Sequence, residues 1–448
     1  MALSGLQIQK LLPKTNCKEC GCSTCLAFAM KLAARKAELK ECPYVSDEAK
    51  AILGAAAEPP IRTVTLGSGD AAFKTGGETV SYRHEKTFVN PTGLGVAFGD
   101  TLEPAVLEAA VRKVREYALV RVGETLRINA VSLACESGDP ARFAAALLRV
   151  AALWERILIA RSDDPAILRL AAEKMRGRKI LLASATPATA AEVGELAAST
   201  GAALAVAADT FDALTAMVKT LEEKKFRDIL LELRADSLSE HFQNNTVIRR
   251  AALKGVKPLG YPVLRFVRTG NAVDDAVEAG LEIVKYGGLA VLPEFDPAVF
   301  VSLLTLRQNI YTDPQKPIQV EPKVYAVGEP NENSPIFVTT NFSLTYFIVS
   351  GELENSGTSG WLVVPDCEGL SVMTAWAAGK FGGAKIAAFV KESGLPDRVK
   401  SRRIVIPGYV AQISGELEEA LPGWQVIVGP QEAVDIEGFV KNVLLKQT

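Results

Sequence analysis

From about residue 86 the sequence settles into a rhythm that leaves few folds open to it. Short, nearly continuous apolar runs alternate with longer amphipathic stretches. The runs are Lys86–Asn90, Leu126–Ala134, Arg156–Arg161, Lys179–Ala185, Ala202–Ala208, Asp228–Arg234, Tyr261–Val267 and Gly288–Glu294. The stretches that follow them, such as Leu102–Leu119 and Ala272–Gly287, carry apolar residues at helical spacing. Strands that are apolar on both faces belong to parallel sheets covered by crossover helices. Eight such units predict a closed (β/α)8 barrel over residues 86–312. Its expected strand ends carry Asn90, Glu136, Asp163, Thr186, Asp209, Arg234, Arg268 and Glu294. Polar residues end every barrel strand, however, and no paired acid–base set stands out among them.

A second, shorter α/β pattern begins at residue 335 and runs to 448. Residues 313–334, rich in proline and polar side chains, read as the linker before it. Its strand candidates are "PIFVTT", "GWLVVP", "RRIVIPG" and "WQVIVGP", and the expectation is an open, doubly wound, Rossmann-like sheet. The loops "TTNFSLTY", "DCEGLSVMT", "IPGY" and "VGPQEA" fall at strand carboxyl ends, where such sheets bind ligands. Their small, hydroxyl and apolar residues suit a large neutral ligand. No G-x-G-x-x-G follows the first strand and no P-loop occurs, which argues against a nucleotide.

Ahead of the barrel, residues 1–57 read as a small helical domain. Residues 58–85 read as a linker and a β-hairpin made of "RTVTL" and "ETVSYR". The helical part holds five of the chain's seven cysteines, spaced Cys17-x2-Cys20-x-Cys22-x2-Cys25 and then Cys42, which precedes Pro43. No signal peptide or apolar run of spanning length is evident, so a cytoplasmic setting is expected. Thiols stay reduced there, and clustered cysteines point to metal. Zinc usually takes two Cys-x2-Cys pairs from separate turns. Pairs one residue apart, with a distant Cys-Pro, suit an iron–sulfur cluster better. Zinc and redox-active thiols are the competing readings. Five thiols compete for four places. Cys42 closes the site from outside the loop, and leaving out Cys22 gives an x2, x4 spacing for Cys17, Cys20 and Cys25. Cys135 and Cys367 stand alone in apolar runs and are expected in the core.

The chain has two histidines, His84 and His241, both expected in surface or loop positions, and none in the C-terminal pattern. That leaves little room for His-based catalysis, and no catalytic residue is assigned. A net charge of −2 argues against non-specific nucleic-acid binding.

Two stretches, "LPKTNCKECGCSTCLAFAMKLA" with "CPYVSDEA" and "PGYVAQISGELEEALPGWQVIVGPQEA", make the whole chain resemble the large (gamma) subunits of corrinoid iron–sulfur proteins of the anaerobic acetyl-CoA (Wood–Ljungdahl) pathway. The resemblance implies a corrinoid methyl carrier. It would take a methyl group from methyltetrahydrofolate through a methyltransferase and give it to acetyl-CoA synthase. A [4Fe-4S] cluster, fed by a low-potential electron donor, would reduce cobalt that has oxidised. Also implied are a cobamide on the C-terminal domain and a heterodimer with a small subunit. The implied cluster ligands are Cys17, Cys20, Cys25 and Cys42, with Cys22 a bystander or a competitor. The cobamide contacts expected by position are Thr340, Thr345, Tyr346, Leu370, Ser371, Val372, Met373, Thr374, Gly429 and Ala433. With no histidine there, the domain has no imidazole for the lower face of the cobalt, which favours the four-coordinate reduced state. The alternatives are a pterin-binding barrel methyltransferase and an iron–sulfur electron-transfer or scaffold subunit.

Overall fold

The computed structural model describes residues 4–33, 37, 39–50, 53, 59–313 and 317–444. The chain packs as two compact units, Met1–Leu119 with Arg127–Tyr311, and Val120–Leu126 with Thr312–Thr448.

In the first unit, eight parallel strands close into a barrel. In chain order they are Gly93–Gly99, Ala130–Ala134, Ile157–Arg161, Leu181–Ala185, Ala203–Ala208, Ile229–Leu233, Val263–Phe266 and Gly287–Leu292. Five of these strands are buried at every position, as strands covered on both faces must be. The helices start where the sequence places caps. Asp139, Asp164, Thr210, Ser237 and Asn271 each accept a hydrogen bond from the first turn, and Pro104, Pro140 and Pro165 occupy early positions that need no N–H.

Seven of the expected barrel strands lie where the apolar runs put them, but the first does not. It is Gly93–Gly99, not Lys86–Asn90. The glycines that make this segment look like a turn are there for packing. A Cβ on Gly93 would sit 2.7 Å from Leu289 Cδ1, and one on Gly95 2.9 Å from Ala130 Cβ. Asn90 is therefore not at a strand's carboxyl end; its side-chain amide donates to Gly76 O. The upstream hairpin pairs Val64–Leu66 with Phe73–Thr75, so "ETVSYR" is not its second arm. The first helix ends at Glu116. Two short strands, Ala118–Arg121 and Glu124–Arg127, follow around Val122 and Gly123, whose φ values of 53° and 76° give the turn that favours a tight hairpin.

His241 is also misplaced by the sequence reading. It lies within the Leu238–Leu253 helix, 1% exposed, and pairs with the buried carboxylate of Glu282. Asn245, one turn on, donates to the same oxygen at 2.8 Å. His84 sits in an exposed turn, stacked on Tyr82.

The segment before the barrel has an apolar core of its own, built from Ile8, Leu12, Phe28, Ala29, Val45 and Ala49 with three cysteines. Ser46 caps the helical turn at 47–50; most of the expected helix beyond it lies outside the described residues. No helix among the described residues is long and apolar enough to cross a membrane.

The second unit is built on a five-stranded sheet. Its spatial order is Lys323–Val327, Gly360–Val364, Ile336–Val338, Arg403–Ile406, Gln425–Val428. The last four strands are mutually parallel, and the edge strand Lys323–Val327 runs antiparallel to Gly360–Val364. That edge strand falls inside residues 313–334, expected to be a linker. Two apolar clusters, one on each face, hold the sheet; Ile336, Val363 and Ile404 serve one face, and Phe337, Leu362 and Val405 the other.

Candidate functional site

The thiol loop is wound tightly between two helices, Gly5–Leu11 and Cys25–Ala33. Lys14, Asn16, Lys18 and Gly21 all have φ between 51° and 71°, a dense run of left-handed residues. Asn16 fastens the loop: its side-chain oxygen accepts from Cys25 N at 2.8 Å, and its own N–H points at Cys25 Sγ, 3.4 Å away. Thr24 caps the second helix through Ala27 N. Cys42 N donates to Leu39 O, which turns the distant cysteine back toward the loop.

Burial does not follow the expected ligand set. Cys22, expected as the spare, is buried with Cys25 and Cys42, whereas Cys17 is exposed. Burial pushes the Cys20 thiol up from its usual value, and the thiols of Cys22 and Cys42 add to this, while a hydrogen bond from the Cys22 backbone opposes it. Tyr44, beside Cys17 and Cys42, donates its hydroxyl to Glu19 Oε1 at 2.7 Å. Among the described residues, no three His, Cys, Asp or Glu side chains converge closely enough to enclose a single metal ion. The donors themselves are soft thiols: Cys20, Cys22, Cys25 and Cys42 share one small core, as many as a cubane cluster needs, and Cys17 lies exposed in the same loop.

In the second unit the parallel strands follow the order 2-1-3-4, so the connections diverge between Ile336–Val338 and Arg403–Ile406. Crevices at such switch points are where doubly wound sheets take ligands. A cavity of about 270 Å³ lies there, lined by Val338, Thr339, Ile406 and Pro407 from the two strand ends. Of the ten residues expected by position, Thr345, Ser371, Val372, Met373, Gly429 and Ala433 line it. Thr340 is fully buried just behind Thr339. Tyr346 packs on Tyr325 and Phe347 instead. Leu370 packs into the core, and Thr374 shares a 3.0 Å hydrogen bond with Ser371.

Two features bear on what the cavity accepts. First, the hydroxyl of Thr339 in the lining is buried without a hydrogen-bond partner in the protein, as are those of Thr340 and Ser343 outside the lining. Such groups are rare and call for an acceptor or donor from outside. Second, Glu432 is the only charged residue in the lining, and its carboxylate takes the Tyr409 hydroxyl. The rim is apolar and open: Leu344, Ile348, Met373, Tyr409 and Val434 are all exposed. Gly408 keeps the floor close, since a Cβ there would meet Gly429 O at 2.6 Å. These residues fit a large, uncharged, amide-bearing macrocycle such as a corrinoid.

Sequence reasoning missed Thr339 and Asn341. Asn341 Oδ1 accepts from Cys367 N and Gly369 N at 2.9 and 3.0 Å, and its amide donates to Gln319 and Asp366. It ties the loop after one strand to the loop after its neighbour. The signal was present in "TTN", a run of hydrogen-bonding residues between an apolar strand and a helix.

At the barrel's carboxyl mouth the expected residues divide. Glu136, Arg268 and Glu294 line one cavity. Arg234 pairs with Asp209 at 3.5 Å, and Thr186 is spent on a turn with Thr189. Cys135 is half-buried beside Asp100, which accepts from Glu136 N and Ser137 N.

Comparison with known proteins covers both ends of the chain. Residues 63–440 match a family model described as CO dehydrogenase/acetyl-CoA synthase delta subunit, and residues 12–44 match one described as a putative Fe-S cluster. The corrinoid/iron-sulfur protein large subunit of Moorella thermoacetica is 42% identical, over 98% of this chain and 99% of its own. The acetyl-CoA decarbonylase/synthase complex subunit gamma of Methanopyrus kandleri is 33% identical, over 98% of both chains. Subunit gamma 2 of Methanosarcina thermophila is 35% identical, again over 98% of both. Among solved structures, dihydropteroate synthase of Thermus thermophilus aligns with 56% of this chain and all of its own, at 17% identity and a TM-score of 0.39, too low to argue from. At this identity and coverage, the chain belongs to the family of corrinoid/iron-sulfur protein large subunits and acetyl-CoA decarbonylase/synthase gamma subunits.

Proposed function

We propose that this chain is the cofactor-bearing large subunit of a methyl carrier. It accepts a methyl group from methyltetrahydrofolate through a methyltransferase and passes it to acetyl-CoA synthase. The observation that carries the reading is the apolar switch-point cavity with the unpartnered Thr339 hydroxyl in its wall, in a chain that also gathers five thiols at its start. When bound, a cobamide supplies the methyl-carrying cobalt and a [4Fe-4S] cluster supplies the electron that returns oxidised cobalt to its reactive state.

The chain's own residues hold these groups. Cys17, Cys20, Cys25 and Cys42 ligate the cluster, with Cys22 as the buried spare. Thr339 offers its hydroxyl to the corrinoid's amides, while Met373, Ile348 and Tyr409 cover its apolar faces. The second unit contains no histidine, so it presents no imidazole to the lower face of the cobalt. The exposed apolar rim is the surface for a small subunit, a partner suggested by the word "large" in the Moorella relative's name. A low-potential donor feeds the thiol segment, and the cytoplasm, where thiols stay reduced, is the compartment that suits it. Functionally the chain divides into residues 1–57 for the cluster, the barrel, and a corrinoid-binding C-terminal domain.

The test uses cobamide-loaded, pre-reduced protein with a methyltransferase and isotope-labelled methyltetrahydrofolate. Label is expected to transfer stoichiometrically to the protein. A variant lacking residues 1–57 is expected to transfer methyl when pre-reduced but to stay inactive once oxidised. Loaded, reduced protein that takes no label contradicts the reading.

A further inference from the structure

The carrier reading leaves the barrel's mouth without a role, yet that mouth is not closed. A cavity of about 920 Å³ opens at the carboxyl ends of the strands, where barrel proteins place their binding sites. Its walls include Phe98, Phe266 and Phe295, and its polar lining includes Arg161, Arg268 and Glu136.

The lining carries Lys113, Arg161 and Arg268 against Glu136, Asp275 and Glu294, and among the described residues none of these forms an ion pair with another. Glu136 accepts from Thr101 Oγ1 at 3.0 Å. Asp275 accepts from Thr269 N and Oγ1 at 2.9 and 2.8 Å. Glu232, deeper in the barrel, takes the Ser184 hydroxyl. Glu136, Asp275 and Glu232 thus have donors of their own, Glu294 is exposed, Lys113 lies over the Phe295 ring, and Arg234 already has Asp209. Arg161 and Arg268 have no ion-pair partner among the described residues. The Arg161 Cζ instead lies over the Phe266 ring, 3.9 Å from its centroid. That cation–π contact holds the guanidinium in the cavity, and among the described residues no hydrogen-bond acceptor takes its N–H groups. Burial lowers Arg161 from its usual value, and the charge of Arg268 adds to this, against Glu232 and Asp163.

Two neighbouring guanidinium groups in a partly desolvated, aromatic-walled cavity are complementary to an anion. We propose that the barrel mouth binds a small organic oxyanion, its carboxylate or phosphate held by Arg161 and Arg268 and its apolar body against Phe266, Phe98 and Phe295. The site lies wholly within the barrel unit, and its ligand is neither a cobamide nor a cluster.

The experiment is ligand-observed NMR on the full-length chain with three probes: benzoate, phenyl phosphate and the neutral benzamide. At least one aryl anion is expected to bind while benzamide does not. Arg161→Met and Arg268→Ala are each expected to weaken that binding by about tenfold or more, the loss of a charge-assisted hydrogen bond. Tighter benzoate assigns a carboxylate ligand, and tighter phenyl phosphate assigns a phosphate. Arg268 is exposed, so its variant keeps the test open should Arg161→Met fail to fold. Three results overturn the proposal: benzamide binding as tightly as the anions, aryl anions binding to both folded variants as tightly as to the native chain, or neither aryl anion binding.

Discussion

Cys367 follows the Gly360–Val364 strand with no exposed surface, its N–H donating to Asn341 Oδ1. Burial pushes its thiol up to about 11 from the usual 9.0. The folded protein therefore keeps this proton between those two values while the unfolded chain releases it. Its contribution to stability is complete below pH 9 and declines as pH rises toward 11. Denaturation of the native protein is thus expected to show a steeper loss of stability over that window than a Cys367→Ala variant, and iodoacetamide at pH 8 should leave native Cys367 unlabelled. The thiol loop makes a sharper contrast. Cys17→Ser is expected to lose cluster iron and Cys22→Ser to retain it, despite Cys22 being the more buried; anaerobic iron analysis checks both, and the reverse pattern would make Cys22 the ligand. Sequence spacing named these thiols but could not rank their burial, because the loop is shaped by left-handed residues such as Lys14 and Lys18 that carry no compositional signal. His241 failed for a related reason. Its buried partner Glu282 is 41 residues away, and no local pattern announces a contact of that range.

Among the elements, the helix Ser343–Asn355 brings the switch point and its unsatisfied hydroxyls together. An orphaned buried hydroxyl lowers stability, so removing one from the cofactor-free protein should not harm it. Thr339→Val is expected to leave the apoprotein's stability unchanged or raised by up to about 1 kcal/mol, while weakening cobamide retention severalfold. Denaturation of the apoprotein and equilibrium dialysis of cobamide measure the two effects; a destabilised apoprotein with unchanged cobamide affinity would make Thr339 purely structural. Elements with strong apolar runs or clear caps were legible, as the Asp139 and Asp164 helices show. Gly93–Gly99 was not, because its glycines are demanded by Leu289 and Ala130 on neighbouring strands. The edge strand Lys323–Val327 was hidden by flanking prolines and a half-exposed pattern, as edge strands commonly are.

For the whole molecule, the closed parallel barrel followed from counting strand–helix units, since a parallel strand needs a crossover and eight of them close. The open sheet's crevice followed from its topology, and six of the ten positions chosen along its strand ends line the cavity found there. What the sequence could not show was the pair of arginines without ion-pair partners at the barrel's mouth, since Arg161 reads only as the last residue of an apolar strand. The account's central claim is that one chain holds both an iron–sulfur cluster and a cobamide. Metal analysis of anaerobically purified protein from cobamide-supplied cells, with its visible spectrum, tests this most directly. The expected result is about four irons and about one cobalt per chain with corrinoid absorption; iron without cobalt, or zinc in place of iron, would contradict it.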